Sequence, residues 1–509
     1  MNDSPLSPAP PLATRKEWLG LLVIALPCLL YSMDLTVLHL AVPALSAELK
    51  PTAAQLLWII DIYGFMVAGS LITMGTIGDR IGRRRLLLGG AAAFGGASML
   101  AALCHTPSTL IAVRALLGLA GATVAPSTLS LIRTMFQDPR QRTVAISVWI
   151  TSYSLGGAVG PLLGGALLEH FRWGSVFLIG VPIMVLVLVL GPLVLPEYRD
   201  PNAGRPDVWS AALSLAAVLA IIFGLKRIAQ DGVEAASLLV IALGAVLGVV
   251  FVRRQRSLKA PLVDLRLFRV PAFTASLFTY AFAIFVLFGG FLFLPQFLQL
   301  VRGLTPFDAG LWTLPWALAF VVGSLVTPSL SRRLRPALLM PLGLVLTAIG
   351  FAAFTRLDRD TSFAVFGAGS ALFSLGLAPV FTLTTDLVVG SAPAEHAGAA
   401  AALSETGAEL GGALGIAGFG SLGVAVYRHA IAGALPAGLP DAARQAASAT
   451  LGGASAVASQ LPHAAGVALL AAAREAFIDS VQACATLSVV GALGLSLFTA
   501  LALRKVVAS

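Results

Sequence analysis

Long apolar stretches alternate with short polar loops along almost the whole chain. Each stretch is about 20 residues long, which is the length of an α-helix that crosses the hydrocarbon core of a bilayer. The dyad alternation of a membrane β-barrel strand is absent from the sequence. We predict fourteen spanning helices, numbered helix 1 to helix 14, at residues 18–43, 53–77, 86–104, 107–131, 141–168, 173–195, 207–225, 235–252, 272–300, 306–330, 337–355, 361–390, 396–426 and 477–503.

Composition agrees with a multi-pass membrane protein. Of the 509 residues, 58% are hydrophobic and 11% are charged, whereas about 25% are charged in soluble domains. The net charge of +9 comes from Lys and Arg residues in alternate short loops, a topology signal of the inner (cytoplasmic) membrane rather than a nucleic-acid-binding surface. We therefore expect no nucleic-acid partner and place both termini in the cytoplasm.

The spans group into two bundles. The loops at 75–85 and 329–336 are similar, which favours two related six-helix bundles with a substrate path between them. The predicted divisions are a disordered cytoplasmic N-terminus at 1–17, a first bundle at 18–195, the inserted helices 7 and 8 with their linkers at 196–271, a second bundle at 272–503 and a cytoplasmic tail at 504–509. An extracellular loop, 427–476, separates helices 13 and 14; we favour a solvated cap there over an amphipathic hairpin within 442–459.

Acidic side chains inside the predicted spans are the strongest functional signal. A carboxylate near the bilayer centre costs about 2.5–3.5 kcal/mol on insertion scales, so such residues generally mark ion or substrate paths. Buried carboxylates can hold protons or cations. The five candidates are Asp34, Asp61, Asp386, Glu405 and Glu409.

Spacing adds chemistry to three of these acids. Glu405 and Glu409 lie four residues apart on one face of helix 13, and because two such carboxylates repel, one should hold a proton near neutral pH. Trp58 and Phe65 share a helix face with Asp61. A carboxylate beside aromatic rings can bind a lipophilic cation. Aromatic residues that face lipid or the protein core are the alternative.

The remaining charged residues leave alternatives open. Arg114 is the only Lys or Arg well inside a predicted span, so it should face a cavity or a carboxylate; a static structural pair is the alternative. Asp34 has Tyr31 one turn before it, whereas we assign His39 to packing. Asp386 lies near the cytoplasmic end of helix 12. It is either a functional residue or a simple interface residue.

Four motifs resemble a known family. They are GTIGDRIGRRR at 75–85, LIAVRALLGLAG at 110–121, GGAVGPLLGG at 156–165 and MDLTVLHLAVP at 33–43. In this order and at these helices they resemble the major facilitator superfamily, and more closely its fourteen-helix drug:proton antiporters of the QacA and SmvA type.

The resemblance implies roles for two of these motifs and for Arg114. The 2–3 loop would form a gate latch, although topology alone also explains its charges; its residues are Gly75, Gly78, Asp79, Arg80, Gly82 and Arg83. Helix 5 would carry the antiporter motif, although plain helix packing also explains its glycines; its residues are Gly156, Gly160, Pro161, Gly164 and Gly165. The resemblance also implies that Arg114 acts in proton coupling.

Helix 10 departs from the best-known relatives, which carry an acid there. Residues 316–323 contain none, so a preference for divalent cations is in doubt. Trp312 and Trp316 on this helix, together with Trp149, are further candidates for an aromatic cavity.

The sequence thus predicts an all-α membrane protein with the superfamily fold that exports lipophilic cations, such as quaternary ammonium biocides and dyes, in exchange for protons. We expect it to be a monomer in lipid, with no cofactor, no metal site and no enzymatic activity. One alternative is an exporter or uptake carrier of an endogenous metabolite, peptide or anionic compound; an anion carrier should have more cavity arginines. The others are a membrane enzyme or receptor, which needs a nucleophile–base set or metal ligands, and a non-transporting relative.

Overall fold

A computed structural model describes residues 11–199, 207–258, 261–393, 396–436 and 439–504. Within these residues the chain is helical and contains no strand. All fourteen predicted spans are confirmed as helices long and apolar enough to cross a membrane. Helices 1 to 14 run Arg15–Leu49, Ala53–Ile81, Arg83–Ala102, Pro107–Met135, Pro139–His170, Ser175–Val194, Val208–Asp231, Ala235–Ser257, Pro271–Val301, Asp308–Ser331, Pro336–Arg356, Phe363–Ser391, Ala397–Ala434 and His463–Leu503.

Several helix ends differ from the prediction. Helix 1 begins at Arg15, where Thr14 and Glu17 form a capping box; residues 1–10 of the predicted disordered segment lie outside the described residues. Helix 7 continues past 225, so that Lys226 lies inside a span. Helix 14 begins at His463 rather than 477 and is 41 residues long, more than the about 20 residues that cross a bilayer.

The segment between helices 13 and 14 is largely helical. Two short helices, the cap helices Asp441–Ala449 and Leu451–Ala458, follow the extended end of helix 13. Their buried side chains include Leu451 and Ala454, and the Tyr427 hydroxyl of helix 13 donates a hydrogen bond to the Ala447 carbonyl at 3.1 Å. The structure therefore favours the hairpin alternative over a solvated cap.

The same packing pattern occurs twice in the molecule. Helix 1 packs along helix 5, helix 2 along helix 4 and helix 3 along helix 6. Eight helices later, helix 9 packs along helix 13, helix 10 along helix 12 and helix 11 along helix 14. Two six-helix bundles with one internal arrangement follow from this repeat.

Helices 7 and 8 pack on each other outside the two bundles, and helix 7 also contacts helix 2 and helix 13. It therefore covers the seam where these two helices bring the bundles together. One end of the molecule, here called the basic end, contains the start of helix 1, the 2–3 loop, the start of helix 5 and the junction of helices 12 and 13. The opposite end contains the cap helices.

Candidate functional site

Two glutamates on helix 13 form the centre of the candidate site. Glu405 and Glu409 are both partly accessible although they lie mid-helix. The Tyr280 hydroxyl donates to Glu405 Oε1 and the Tyr31 hydroxyl donates to Glu409 Oε1, each at 3.4 Å. Among the described residues, no Lys or Arg forms an ion pair with either glutamate. The site therefore presents negative charge and phenol groups from both bundles.

More tyrosines surround this pair than the sequence analysis identified. Tyr63 and Tyr153 lie 5.9 and 5.6 Å from the Tyr31 ring, centroid to centroid. Their hydroxyls are buried and have no hydrogen-bond partner among the described residues. The predicted cavity residue Trp149 is fully buried against Tyr153 and donates its indole N–H to Thr128 at 2.8 Å. Trp149 therefore supports the tyrosine ring and does not line an open cavity.

Asp34 is paired across the first bundle with Arg114. The Arg114 guanidinium donates to Asp34 Oδ2 at 2.6 Å and to the Ile59 carbonyl at 3.2 Å. It also lies 4.7 Å from the ring centroid of Tyr63. Because Arg114 is 1% exposed and Asp34 10%, each neutralises the other in a dry setting. The static pair that the sequence left open is present here.

Asp61 does not face the two glutamates across an open cavity. Its carboxylate accepts a hydrogen bond from the Lys226 ammonium of helix 7. Phe65 packs with Phe223 of that helix, and Trp58 stacks on the same ring at 6.1 Å. The prediction that Trp58, Asp61 and Phe65 share one helix face is correct, but that face meets the inserted helix.

Asp386 joins the two bundles at the basic end. Its carboxylate accepts hydrogen bonds from Arg142 Nε and the Thr143 hydroxyl of helix 5, each at 2.6 Å. Of the two alternatives for this residue, the structure places it at an interface between helices 12 and 5.

The 2–3 loop makes a second contact between the bundles at this end. Asp79 Oδ1 accepts from Arg83 at 2.6 Å, and Asp79 Oδ2 accepts the backbone N–H of Ala399 at 3.3 Å. Ala399 belongs to the first turn of helix 13, where the helix dipole favours an anion. A Cβ on Gly75 would lie 2.6 Å from the Gly398 carbonyl oxygen. The two bundles are thus in contact here through the Asp79 carboxylate and the backbone of helices 2 and 13. This contact closes the basic end.

The other residues of the 2–3 motif have distinct settings. Arg83 is fully buried, and its guanidinium carbon lies 5.4 Å from the ring centroid of Tyr198. Gly78 lies against Leu86 of helix 3, whereas Gly82 forms the turn at φ 109°, which only glycine adopts without strain. Arg80, at the end of helix 2, is half-buried. Because Arg83 is buried, the loop is more than a charged topology signal.

The glycine stripe of helix 5 packs against helix 1. A Cβ on Gly160 would meet Met33 at 3.0 Å, and one on Gly164 would meet Val37 at 2.9 Å. Gly156 lies directly on the backbone of Leu29, whereas Gly165 has open space. Helix packing therefore accounts for Gly156, Gly160 and Gly164. The side chains of Pro161 and His39 lie outside what the structure describes.

The tryptophans of helix 10 pack on helix 12. Trp312 stacks on Phe363 at 4.7 Å and the Trp316 ring lies 5.8 Å from Phe373, centroid to centroid. Their main contacts are therefore between helices of the second bundle, not with the glutamates.

Sequence reasoning missed Lys226 and three tyrosines of the site, Tyr63, Tyr153 and Tyr280. The available signal was that four of the six tyrosines lie within the predicted spans, where a buried hydroxyl needs a polar partner. No group of three or more His, Cys, Asp or Glu that could hold a metal occurs in the described part of the chain.

Comparisons with known proteins agree with this architecture. The sequence profile of the Major Facilitator Superfamily matches residues 24–416. The chain is 42% identical to the multidrug efflux pump LfrA of Mycolicibacterium smegmatis, over 96% of this chain and 97% of that protein. It is 38% identical to the methyl viologen resistance protein SmvA of Salmonella typhimurium, over 91% and 94% of the two chains.

Solved structures show the same fold at low identity. A bacterial homologue of the human lysosomal transporter Spinster superposes with a TM-score of 0.57 at 19% identity, over 97% of this chain and 98% of that one. The human organic anion transporter MFSD10 gives a TM-score of 0.56 at 17% identity, over 94% and 99%. With its fourteen spans, its two repeated bundles and its profile match, this multi-pass cell-membrane chain belongs to the Major Facilitator Superfamily, a family of membrane transporters.

Proposed function

We propose that this transporter exports lipophilic cations in exchange for protons, and that Glu405 and Glu409 are the exchange site. One observation carries the proposal. Of the five candidate acids, Asp34, Asp61 and Asp386 each have a Lys or Arg partner, whereas the two glutamates have only phenol donors among the described residues.

The chemistry of the pair fits this exchange. Two adjacent carboxylates in a setting of low polarity cannot both stay charged without a counter-ion, so a proton or an organic cation must neutralise them. The rings of Tyr31, Tyr153 and Tyr280 add attraction for a greasy cation. An anion is disfavoured, because Arg114 is buried and already paired with Asp34.

The transport cycle follows from the two bundles. With the basic end in the cytoplasm, as the loop charges predict, the closed contact at Asp79 and Asp386 corresponds to an outward-directed state. Protons reach the glutamates from outside, the bundles rock, and a cation from inside displaces them. LfrA and SmvA are named for multidrug efflux and methyl viologen resistance, which supports export of cationic compounds.

The test uses purified protein in proteoliposomes with a pH-sensitive dye inside. Adding tetraphenylphosphonium to the wild type should release protons and drive coupled cation movement. Glu405→Gln and Glu409→Gln should each abolish the proton signal. Glu475→Gln is the matched control, because Glu475 is an exposed helix-14 acid paired with Arg359. A full proton signal in both glutamine variants would remove the pair from the exchange step.

A further inference from the structure

An amine of the chain itself occupies a position that fits a lipophilic cation. The Lys226 ammonium is bonded to Asp61 and lies 4.7 Å from the ring centroid of Phe65. Trp58 packs edge-on against Phe65 at 6.0 Å, and Phe223 completes the cluster of rings. A carboxylate with aromatic faces around it is the arrangement that binds ammonium groups in general.

This cluster lies at the seam between the bundles. Phe65 of helix 2 also belongs to an apolar cluster with Ile222 of helix 7 and Ala413 of helix 13. The site therefore contains residues that pack against both bundles.

A substrate cation can replace the Lys226 ammonium at Asp61. The side chains of Lys226 and Asp61 are 25% and 19% exposed, in contrast to the dry pair of Arg114 and Asp34. A lysine ammonium is a compact charge on a flexible stem of four carbons. It can leave Asp61 without a large rearrangement of helix 7, whereas a buried guanidinium held at several atoms cannot.

We propose that Lys226 is a tethered competitor for Asp61 that determines which cations the transporter accepts. This inference rests on the proposed export of cations. While Lys226 neutralises Asp61, only the glutamate pair is open to a substrate, so a single positive centre is favoured. A substrate with two separated positive centres needs a second carboxylate and must displace the lysine to reach it.

The experiment compares affinities for a monovalent and a divalent cation. Binding of radiolabelled tetraphenylphosphonium is measured on the purified full-length protein, with methyl viologen as the competitor. In Lys226→Met the affinity for methyl viologen should rise by about tenfold relative to that for tetraphenylphosphonium; a factor of ten corresponds to about 1.4 kcal/mol, the size of one such charge and ring contact. Lys226→Arg, which keeps the charge, should retain the wild-type ratio.

Two further variants separate the explanations. Asp61→Asn combined with Lys226→Met should lose the gain, because the released carboxylate is gone. Asp61→Asn alone should not raise the affinity ratio, because the second carboxylate is absent; this variant also tests the inference if Lys226→Met does not fold. Arg227→Gln is the matched control, because Arg227 is the adjacent cation of helix 7 and pairs with Glu234 at 4.0 Å.

The outcomes are distinct. An unchanged affinity ratio in Lys226→Met, or a gain that persists in the double variant, overturns the role of Lys226 and leaves cation export standing. A higher ratio in Asp61→Asn alone also overturns it, because breaking the ion pair would then favour the divalent cation without a released carboxylate. If the wild type neither binds nor moves either cation, the proposed function fails and this inference fails with it.

Discussion

Replacing Gly75 with alanine should open the basic end of the transporter without unfolding it. Gly75 of helix 2 touches the first turns of helix 13, which belongs to the other bundle. A Cβ at this position would lie 2.6 Å from the carbonyl oxygen of Gly398 and 2.8 Å from Cβ of Ala402. Carbon atoms pack at about 3.5–4.0 Å, and neither neighbour is a flexible side-chain end. The two helices must therefore separate by about 1 Å.

The size of the effect follows from this separation. Overpacking of a tight contact costs about 1–3 kcal/mol, and here the cost applies only to the conformation in which the basic end is closed. The hydrogen bond from the Ala399 N–H to Asp79 is 3.3 Å long in the structure. It is lost when the two helices move apart by about 1 Å. A cost of 1–3 kcal/mol shifts a two-state equilibrium by about 5- to 150-fold.

Electron–electron double resonance between nitroxides at Ile81 and Arg333 measures this shift. Both residues are exposed at the basic end, one in each bundle, and the three native cysteines are buried and free, so they can be replaced by serine. Gly75→Ala should move the distance distribution to longer values. Gly64→Ala is the control on the same helix, because a Cβ there meets nothing within 4 Å. Identical distributions for Gly75→Ala and the wild type would refute the reasoning.

Three further results are expected. Asp34→Asn leaves Arg114 buried without its counter-charge and should destabilise the fold by about 3–5 kcal/mol; in thermal unfolding, the double variant with Arg114→Gln should be less destabilised than the sum of the single ones. Asp386→Asn should lengthen the same spin-label distance as Gly75→Ala, since it weakens the second contact at the basic end. The hydrogen bond from Arg172 lowers the pKa of Glu48 below its ordinary 4.5, so this pair adds stability above that pH and loses it as the pH falls through the lower folded-state value. Glu48→Gln should therefore lower Tm at pH 7, and the difference from wild type should shrink as the pH falls below 4.5; a difference that stays constant with pH would contradict this assignment.

The spans could be predicted from the sequence because the bilayer leaves few options. Every backbone polar group must be paired within the hydrocarbon core, and a helix of about 20 apolar residues is the shortest solution. The ends of helices were harder to predict. Hydropathy falls at Lys226, so the sequence predicts that helix 7 ends before it. A lysine can nevertheless remain in a span when its stem is apolar and its ammonium has a partner.

The partners of the charged residues could not be predicted, because they lie on distant parts of the chain. Helical periodicity correctly placed Asp61, Trp58 and Phe65 on one face. It cannot show that an inserted helix 165 positions away covers that face. Likewise, Arg114 was expected to meet a carboxylate, but the choice of Asp34 among five acids depends on how helices 1 and 4 pack.

Helix 13 carries both the proposed exchange site and the contact that closes the basic end. It runs as one helix from Ala397 to Ile431, and its first turn forms the contact with Gly75 and Asp79. Glu405 follows Ala399 by six residues, which is about 9 Å along a helix axis at 1.5 Å per residue. A change of charge at Glu405 therefore acts on the same rigid body that closes the basic end, and no longer relay between site and gate is required. Any shift of helix 13 that follows exchange of a proton for a cation must also alter the distance between Ala399 and Asp79, so occupancy of the site and closure of the gate are linked through one helix.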